Sequence, residues 1–179
     1  MTMRFCTFFA LKNMTRMIMS ETTKNLKNFS VLVPNTGANQ ISFCLINQVN
    51  RLFDIHPEID VMVFYENIHK NCIPTNFASM EISSAFNHKG PMIATTVSTA
   101  RKLISFASEK KFFYVWDLSW VRNSRGTQQY EAYKDVYLNK SLELIARSES
   151  HKKAIESCFN REIKHVISDF KIEDILEIL

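Results

Sequence analysis

Residues 29–53, FSVLVPNTGANQISFCLINQVNRLF, decide the fold class of this chain. They begin with a short β-rich apolar run that Pro34 ends, and a turn containing Gly37 follows. From Ile41 onward, apolar residues recur at helical spacing and form one face of a predicted helix. A strand, a tight turn and an amphipathic helix in this order are typical of a βαβ unit.

The same alternation of short apolar runs and helical stretches continues to the end of the sequence. Residues 112–116, FFYVW, are the strongest strand signal, and residues 79–82 are a weaker, shorter candidate in the least regular region. The clear runs are centred on Val31, Val63, Ile93, Val115, Ile145 and Val166. Because such alternation forces right-handed crossovers, it predicts an α/β, three-layer Rossmann-like domain with a mostly parallel sheet of about six strands.

We expect residues 28–179 to form this single domain and residues 1–27 to be an N-terminal extension. The extension has a short apolar patch between basic residues, which faintly resembles a targeting peptide. Lys12 interrupts the patch, which is too short to span a bilayer. The extension is therefore interpreted as a mobile or partner-docked segment, or as an over-long gene start.

Composition excludes several functional classes. Hydrophobic residues make up 46% and charged residues 22% of the chain, as in ordinary globular domains. The net charge of +4 is concentrated near the N-terminus without a dense Lys/Arg stripe, so no nucleic-acid partner is predicted. The four cysteines and five histidines are scattered, which predicts no metal site, no cofactor and a reducing, cytoplasmic location.

Ligands of open parallel sheets bind at the carboxyl ends of the strands, so the residues after each run are the candidates. The turn after the first strand offers Asn35, Thr36, Gly37 and Asn39 just before a helix N-terminus, where free N–H groups favour an anion. The turn matches neither the dinucleotide-binding nor the P-loop motif. A plain βα turn therefore remains an equally open interpretation.

Asp117 follows the strongest strand and lies between Trp116 and Trp120. A carboxylate at a strand end can orient or deprotonate a hydroxyl, and indole rings offer a face for a sugar. The alternative is an aspartate that caps a turn, with both tryptophans packed in the core. Of the two, we favour the functional interpretation.

Arg147 and Ser148 follow the predicted strand at 142–146. An arginine there can bind phosphate through two parallel hydrogen bonds. Alternatively, Ser148 is a simple N-cap and Arg147 is solvated. The stripe formed by Tyr130, Tyr133 and Tyr137 is predicted to pack in the core.

In sequence order these features resemble the N-terminal, acceptor-side domain of a GT-B glycosyltransferase of the retaining, nucleotide-sugar-dependent group. The resemblance starts in VLVPNTGANQISFCLINQVNRLF, continues at FFYVWDLSW, and is best in LELIARSESHKKAIESCFNREIKHVISDFKIEDI. Two departures stand out. The first turn lacks the usual paired glycines, and Trp116 stands where many members have histidine.

The resemblance implies transfer of a sugar from a nucleotide-sugar donor to a hydroxyl acceptor, without a metal. It implies that Asp117 contacts or deprotonates the acceptor, that residues 35–39 approach the sugar or phosphate, and that Arg147 and Ser148 line the cleft. In the family a second domain holds most donor contacts. We therefore expect a partner chain or a second copy to supply that half.

A non-catalytic ligand-binding or interaction module on the same doubly wound scaffold is the alternative, since fold alone does not determine function.

Overall fold

The computed structural model of the chain describes residues 28–179. The expectations for residues 1–27 lie outside this described part. Seven strands form one sheet in the order β3-β2-β1-β4-β5-β6-β7, and every neighbouring pair is parallel. The strands are β1 (Asn28–Val33), β2 (Asp60–Tyr65), β3 (Ala78–Glu81), β4 (Met92–Ala94), β5 (Lys111–Val115), β6 (Glu143–Ala146) and β7 (His165–Val166). The predicted α/β class and parallel sheet are confirmed.

Helices cover both faces of the sheet and make it the middle of three layers. The α-helices are α1 (Gln40–Ile55), α2 (Val97–Ile104), α3 (Gln128–Leu138), α4 (Glu149–Phe159) and α5 (Ile172–Leu176). Short 3₁₀ turns lie at Ile82–Ala85, Ser119–Arg122 and Ser168–Phe170. Within residues 28–179, no helix combines the length and the apolar character needed to cross a bilayer.

The strand alternation divides the core into two parts. Val31, Val63 and Tyr114 point to the face covered by α1 and α5. Leu32 and Phe113 point to the face covered by α2, α3 and α4. Strands buried on both faces need apolar residues at nearly every position, which is why their sequences read as continuous apolar runs.

The strand β3 is the one beyond the six clear runs, and it coincides with the weak candidate at residues 79–82. It lies at the sheet edge and all four of its residues are exposed, so burial demands no apolar run there. Strand β5 lies between β4 and β6, as its apolar sequence predicted.

Strand order reverses between β1 and β4. Strands β2 and β3 lie on one side of β1, and the chain then crosses back so that β4 lies on the other side. The connections that leave β1 and β4 therefore diverge and open a crevice at the carboxyl edge. The turn 34–39 and the start of α2 flank this crevice.

Candidate functional site

A cavity of about 560 Å³ opens at the carboxyl edge of the sheet; we call it the carboxyl-edge cavity. It brings together five of the predicted site residues: Asn35, Asn39, Trp116, Asp117 and Arg147. Its other lining residues are Pro34, Gln40, Ile41, Arg122 and His151. These residues come from the loops after β1, β5 and β6 and from the first turns of α1 and α4.

The turn after β1 is held by its own side chains. The Oδ1 atom of Asn35 accepts hydrogen bonds from the N–H of Gly37 at 2.9 Å and from Nδ2 of Asn39 at 3.0 Å. Asn39 caps α1, since its Oδ1 accepts from the N–H of Ser42 at 2.9 Å. Both asparagines are thus rigid parts of the cavity wall before any ligand binds.

Thr36 and Gly37 belong to the same turn but are absent from the cavity lining given above. Thr36 is buried, and its hydroxyl donates to Oδ1 of Asn71 at 2.6 Å. A Cβ atom on Gly37 would lie 3.1 Å from the Cβ of His69. Both residues therefore serve the packing of the loop after β2 against the turn, and the structure does not bring them to the cavity.

Asp117 lies two residues after the end of β5, and its side chain is 48% exposed. Its Oδ2 accepts a hydrogen bond from Nη2 of Arg122 at 2.6 Å. Among the described residues, no backbone N–H donates to this carboxylate within hydrogen-bonding distance, so the turn-capping alternative is not what the structure shows. The carboxylate stands at the cavity with one oxygen paired to a solvent-exposed arginine.

Arg147 stacks on Trp116, which is 7% exposed. The Cζ atom of Arg147 lies 4.4 Å from the centroid of the indole ring, within cation–π range. Its Nη2 also donates to Oδ1 of Asp169 at 3.2 Å. The indole face that was predicted to bind a sugar is therefore covered by a guanidinium group, which itself faces the cavity.

Trp120 is in the core, contrary to its predicted place in the site. It is 4% exposed and packs edge-to-face against Tyr137 and Phe159, with ring centroids 4.6 and 5.1 Å away. The 3₁₀ turn after Asp117 directs this side chain to the opposite face of the sheet from Trp116. Core packing, the alternative interpretation, is correct for Trp120.

Ser148 acts as the N-cap of α4. Its hydroxyl accepts from the N–H of His151 at 3.2 Å and lies 2.9 Å from the hydroxyl of Ser150. The capping alternative therefore holds for Ser148, whereas Arg147 is half-buried and faces the cavity.

Of the five lining residues outside the predicted set, two have ionisable side chains, Arg122 and His151. His151 lies in the first turn of α4. Its Nδ1 is buried without a hydrogen-bond partner among the described residues. Helical periodicity marks neither residue, because Arg147 precedes the N-cap Ser148 and shares no helix with His151, and the place of Arg122 depends on a 3₁₀ turn.

A second cavity of about 310 Å³ adjoins the first, and Ile41, Trp116 and Asp117 line both. The remaining wall of this second cavity is richer in hydroxyl groups, contributed by Thr95, Thr96, Ser98, Ser119 and Tyr133. Asp117 therefore lies between the carboxyl-edge cavity, which has two arginines, and the second cavity, which has hydroxyl groups.

A strained turn after β7 supports Arg147 from outside the cavity. Asp169 and Phe170 have φ values of 47° and 53°, a left-handed conformation that is costly outside glycine. The buried hydroxyl of Tyr114 donates to the carbonyl of Ile167 at 2.7 Å and accepts from the N–H of Phe170 at 3.0 Å. Tyr114 thus holds the turn that places Asp169 against Arg147.

Burial raises the pKa of Tyr114 to about 12, above the value near 10 of an unfolded tyrosine. Between these values the unfolded state releases a proton that the folded state retains. We therefore expect the free energy of unfolding to be unaffected below about pH 10 and to fall by about 2–3 kcal/mol toward pH 12.

The variant Tyr114→Phe should reduce the fall of the free energy of unfolding with pH. The matched control is Tyr65→Phe, because Tyr65 is partly exposed. Urea unfolding between about pH 9 and about pH 11 measures this fall. The Tyr114→Phe variant retains the contribution of Tyr137, whose pKa burial also raises, so its free energy of unfolding still falls with pH, but less steeply than that of the wild type. Equal slopes for Tyr114→Phe and the wild type would contradict the assignment.

Within residues 28–179, no three His, Cys, Asp or Glu side chains are grouped so that they could hold a metal ion. No protein-family model matches the sequence, and no curated protein or solved structure matches it.

Proposed function

We propose that this chain is the acceptor-side domain of a glycosyltransferase-like protein, which transfers a sugar from a nucleotide-sugar donor to a hydroxyl group. The observation that carries the proposal is the position of Asp117 at the carboxyl edge, between two adjoining cavities. Sheets of this topology bind ligands at this edge, near the reversal of strand order.

In the proposed reaction Asp117 accepts the proton of the acceptor hydroxyl. The acceptor oxygen forms a bond to the anomeric carbon, and the bond between that carbon and the nucleotide diphosphate breaks. Asp117 must first exchange its hydrogen bond with Arg122. That step is easy, because an ion pair between exposed side chains contributes about 1 kcal/mol or less.

The donor contacts are proposed to come mostly from a second half, supplied by a partner chain or by another copy of this chain. The carboxyl edge would face that half. This part of the proposal rests on the resemblance to GT-B glycosyltransferases together with the open crevice between β1 and β4.

One observation favours the alternative, a non-catalytic ligand-binding module. Asp117 is paired with Arg122, and the Trp116 ring is covered by Arg147, so the charged groups of the cavity are largely paired with one another. A binding module would hold a saccharide at this edge without breaking a bond.

A transfer assay distinguishes the two functions. The full chain, alone and with proteins that copurify with it from its native cell, is incubated with UDP- and GDP-sugars and a panel of hydroxyl acceptors. Release of UDP or GDP together with a glycosylated product, both dependent on Asp117, supports the enzyme. Saccharide binding without any product supports the module.

A further inference from the structure

One wall of the carboxyl-edge cavity is built from donor groups. Arg122 and Arg147 contribute guanidinium N–H groups, and His151 contributes an imidazole whose Nδ1 lacks a partner among the described residues. Asp117 is the single carboxylate among the residues that line this cavity. This composition differs from that of the second cavity, whose lining has hydroxyl groups and no arginine.

Arg147 is positioned to bind a planar or tetrahedral anion. Its side chain is only 29% exposed, its Cζ atom lies over the Trp116 ring at 4.4 Å from the centroid, and its Nη2 donates a hydrogen bond to Asp169. A stacked guanidinium is weakly hydrated and keeps its remaining N–H groups in a rigid fork. Such a fork binds carboxylate or phosphate oxygens through parallel hydrogen bonds.

The support behind Arg147 is unusually rigid for a surface residue. Asp169 sits in the left-handed turn that the buried Tyr114 hydroxyl holds at two points. The carbonyl of Asp169 also accepts a hydrogen bond from the thiol of Cys44 at 2.9 Å. Strain of this kind persists only where the surrounding structure enforces it, and it concentrates at ligand sites.

The carboxylates beside the two arginines leave room for a ligand. Asp117 and Asp169 are 48% and 70% exposed, and each engages a single Nη2 atom. Exposed pairs of this type exchange easily. The cavity is also lined by Gln40 and Ile41 in the first turn of α1, where the helix dipole adds positive potential.

We propose that the acceptor carries a phosphate or carboxylate group, which Arg147 binds while the reactive hydroxyl lies at Asp117. The proposal rests on the proposed function for the identity of the ligand as an acceptor. An anion that also engages Arg122 takes that arginine from Asp117 and leaves the carboxylate free for the hydroxyl. A neutral sugar would have no anionic group for Arg147 to bind, and it would not take Arg122 from Asp117.

Another basic cavity, which we call the amino-edge cavity, lies at the opposite edge of the sheet and provides a control. It is lined by residues that include Lys111, Lys140, Arg161 and Lys164. Lys111 and Arg161 donate to backbone carbonyls, of Ile104 at 2.8 Å and of Tyr137 at 2.6 Å respectively, so they are engaged in capping helix C-termini. The variant Lys164→Gln removes one positive charge from the amino-edge cavity.

The test measures binding of glucose 6-phosphate, glucuronate and glucose to the full chain by ligand-observed NMR. We expect one anionic sugar to bind about tenfold to a hundredfold more tightly than glucose, as hydrogen bonds to charged groups predict. Whether the phosphate or the carboxylate is preferred identifies the anion. Arg147→Gln should remove the preference, Arg147→Lys should retain part of it, and Lys164→Gln should leave it unchanged.

Thermal melts of both Arg147 variants show whether they are folded, and Arg147→Lys keeps the test informative if the glutamine variant is not. Equal binding of the three sugars, or a preference that survives in folded Arg147→Gln, would overturn the anionic acceptor without affecting the transferase proposal. Conversely, a preference that depends on Arg147, combined with no transfer activity either alone or with the copurifying proteins, would uphold the anion site and remove the proposed function.

Discussion

Replacing Asp117 by Asn should lower sugar transfer by about a hundredfold or more, the loss expected when a general base is removed. Asparagine has the same shape as aspartate and can still accept a hydrogen bond from Arg122, but it cannot take the hydroxyl proton. The melting temperature should change little, since the exposed pair with Arg122 contributes about 1 kcal/mol or less. Initial rates of product formation and a thermal melt measure the two effects.

The matched control is Asp135→Asn, which changes an exposed carboxylate on α3 that lines neither cavity. It should retain the wild-type rate. A capping aspartate would show the reverse pattern, with a loss of about 0.5–2 kcal/mol of stability on substitution. Transfer by Asp117→Asn at close to the wild-type rate would exclude Asp117 as the base.

Replacing Trp120 by Ala should lower the free energy of unfolding by about 3–5 kcal/mol, the range for a large aromatic side chain removed from a packed core. The loss follows from its contacts with Tyr137 and Phe159, which stack on one another at 4.5 Å. For a domain of this size the change corresponds to roughly 6–20 °C in melting temperature.

The neighbouring Val121→Ala is the control, because Val121 is 69% exposed and its truncation should cost less than about 0.5 kcal/mol. Denaturant unfolding of both variants gives the comparison. If Trp120→Ala instead kept its stability and lost saccharide binding, Trp120 would belong to the site after all.

The sheet was predictable from sequence because its strands are buried on both faces. Strand β5 shows this most clearly, since the four residues after Lys111, Phe112 to Val115, are all buried and hydrophobic. Strand β3 was harder to predict, because it is held by pairing with β2 at an exposed edge and its sequence, ASME, need not be apolar.

That several candidate residues meet at the carboxyl edge was also predictable, because parallel strands bring the residues that follow them to one edge. Asn35 and Asp117 lie far apart in sequence yet line the same cavity for this reason. The direction of individual side chains was not predictable. A 3₁₀ turn sends Trp120 into the core and leaves Arg122 at the cavity, and a distant loop with His69 and Asn71 draws Thr36 and Gly37 away.

The positions of Asp117 and Arg147 after predicted strands made them candidates for the site, but the sequence did not predict their partners. Arg122 pairs with Asp117, and Asp169 with Arg147, through backbone geometry that depends on packing around Tyr114 and on local turns. These partners decide which groups are free to meet a ligand. They are therefore what the structure adds to the functional argument.

The most direct test of the central claim is to map where a sugar ligand binds. Nitrogen-15 heteronuclear NMR spectra of the chain are recorded during titration with glucose 6-phosphate and with glucuronate, with glucose as the neutral comparison. We expect the perturbed backbone amides to cluster around Asn39, Asp117 and Arg147 at the carboxyl edge. Perturbations confined to the amino edge around Lys140 and Lys164, or none with any of the three sugars, would contradict this.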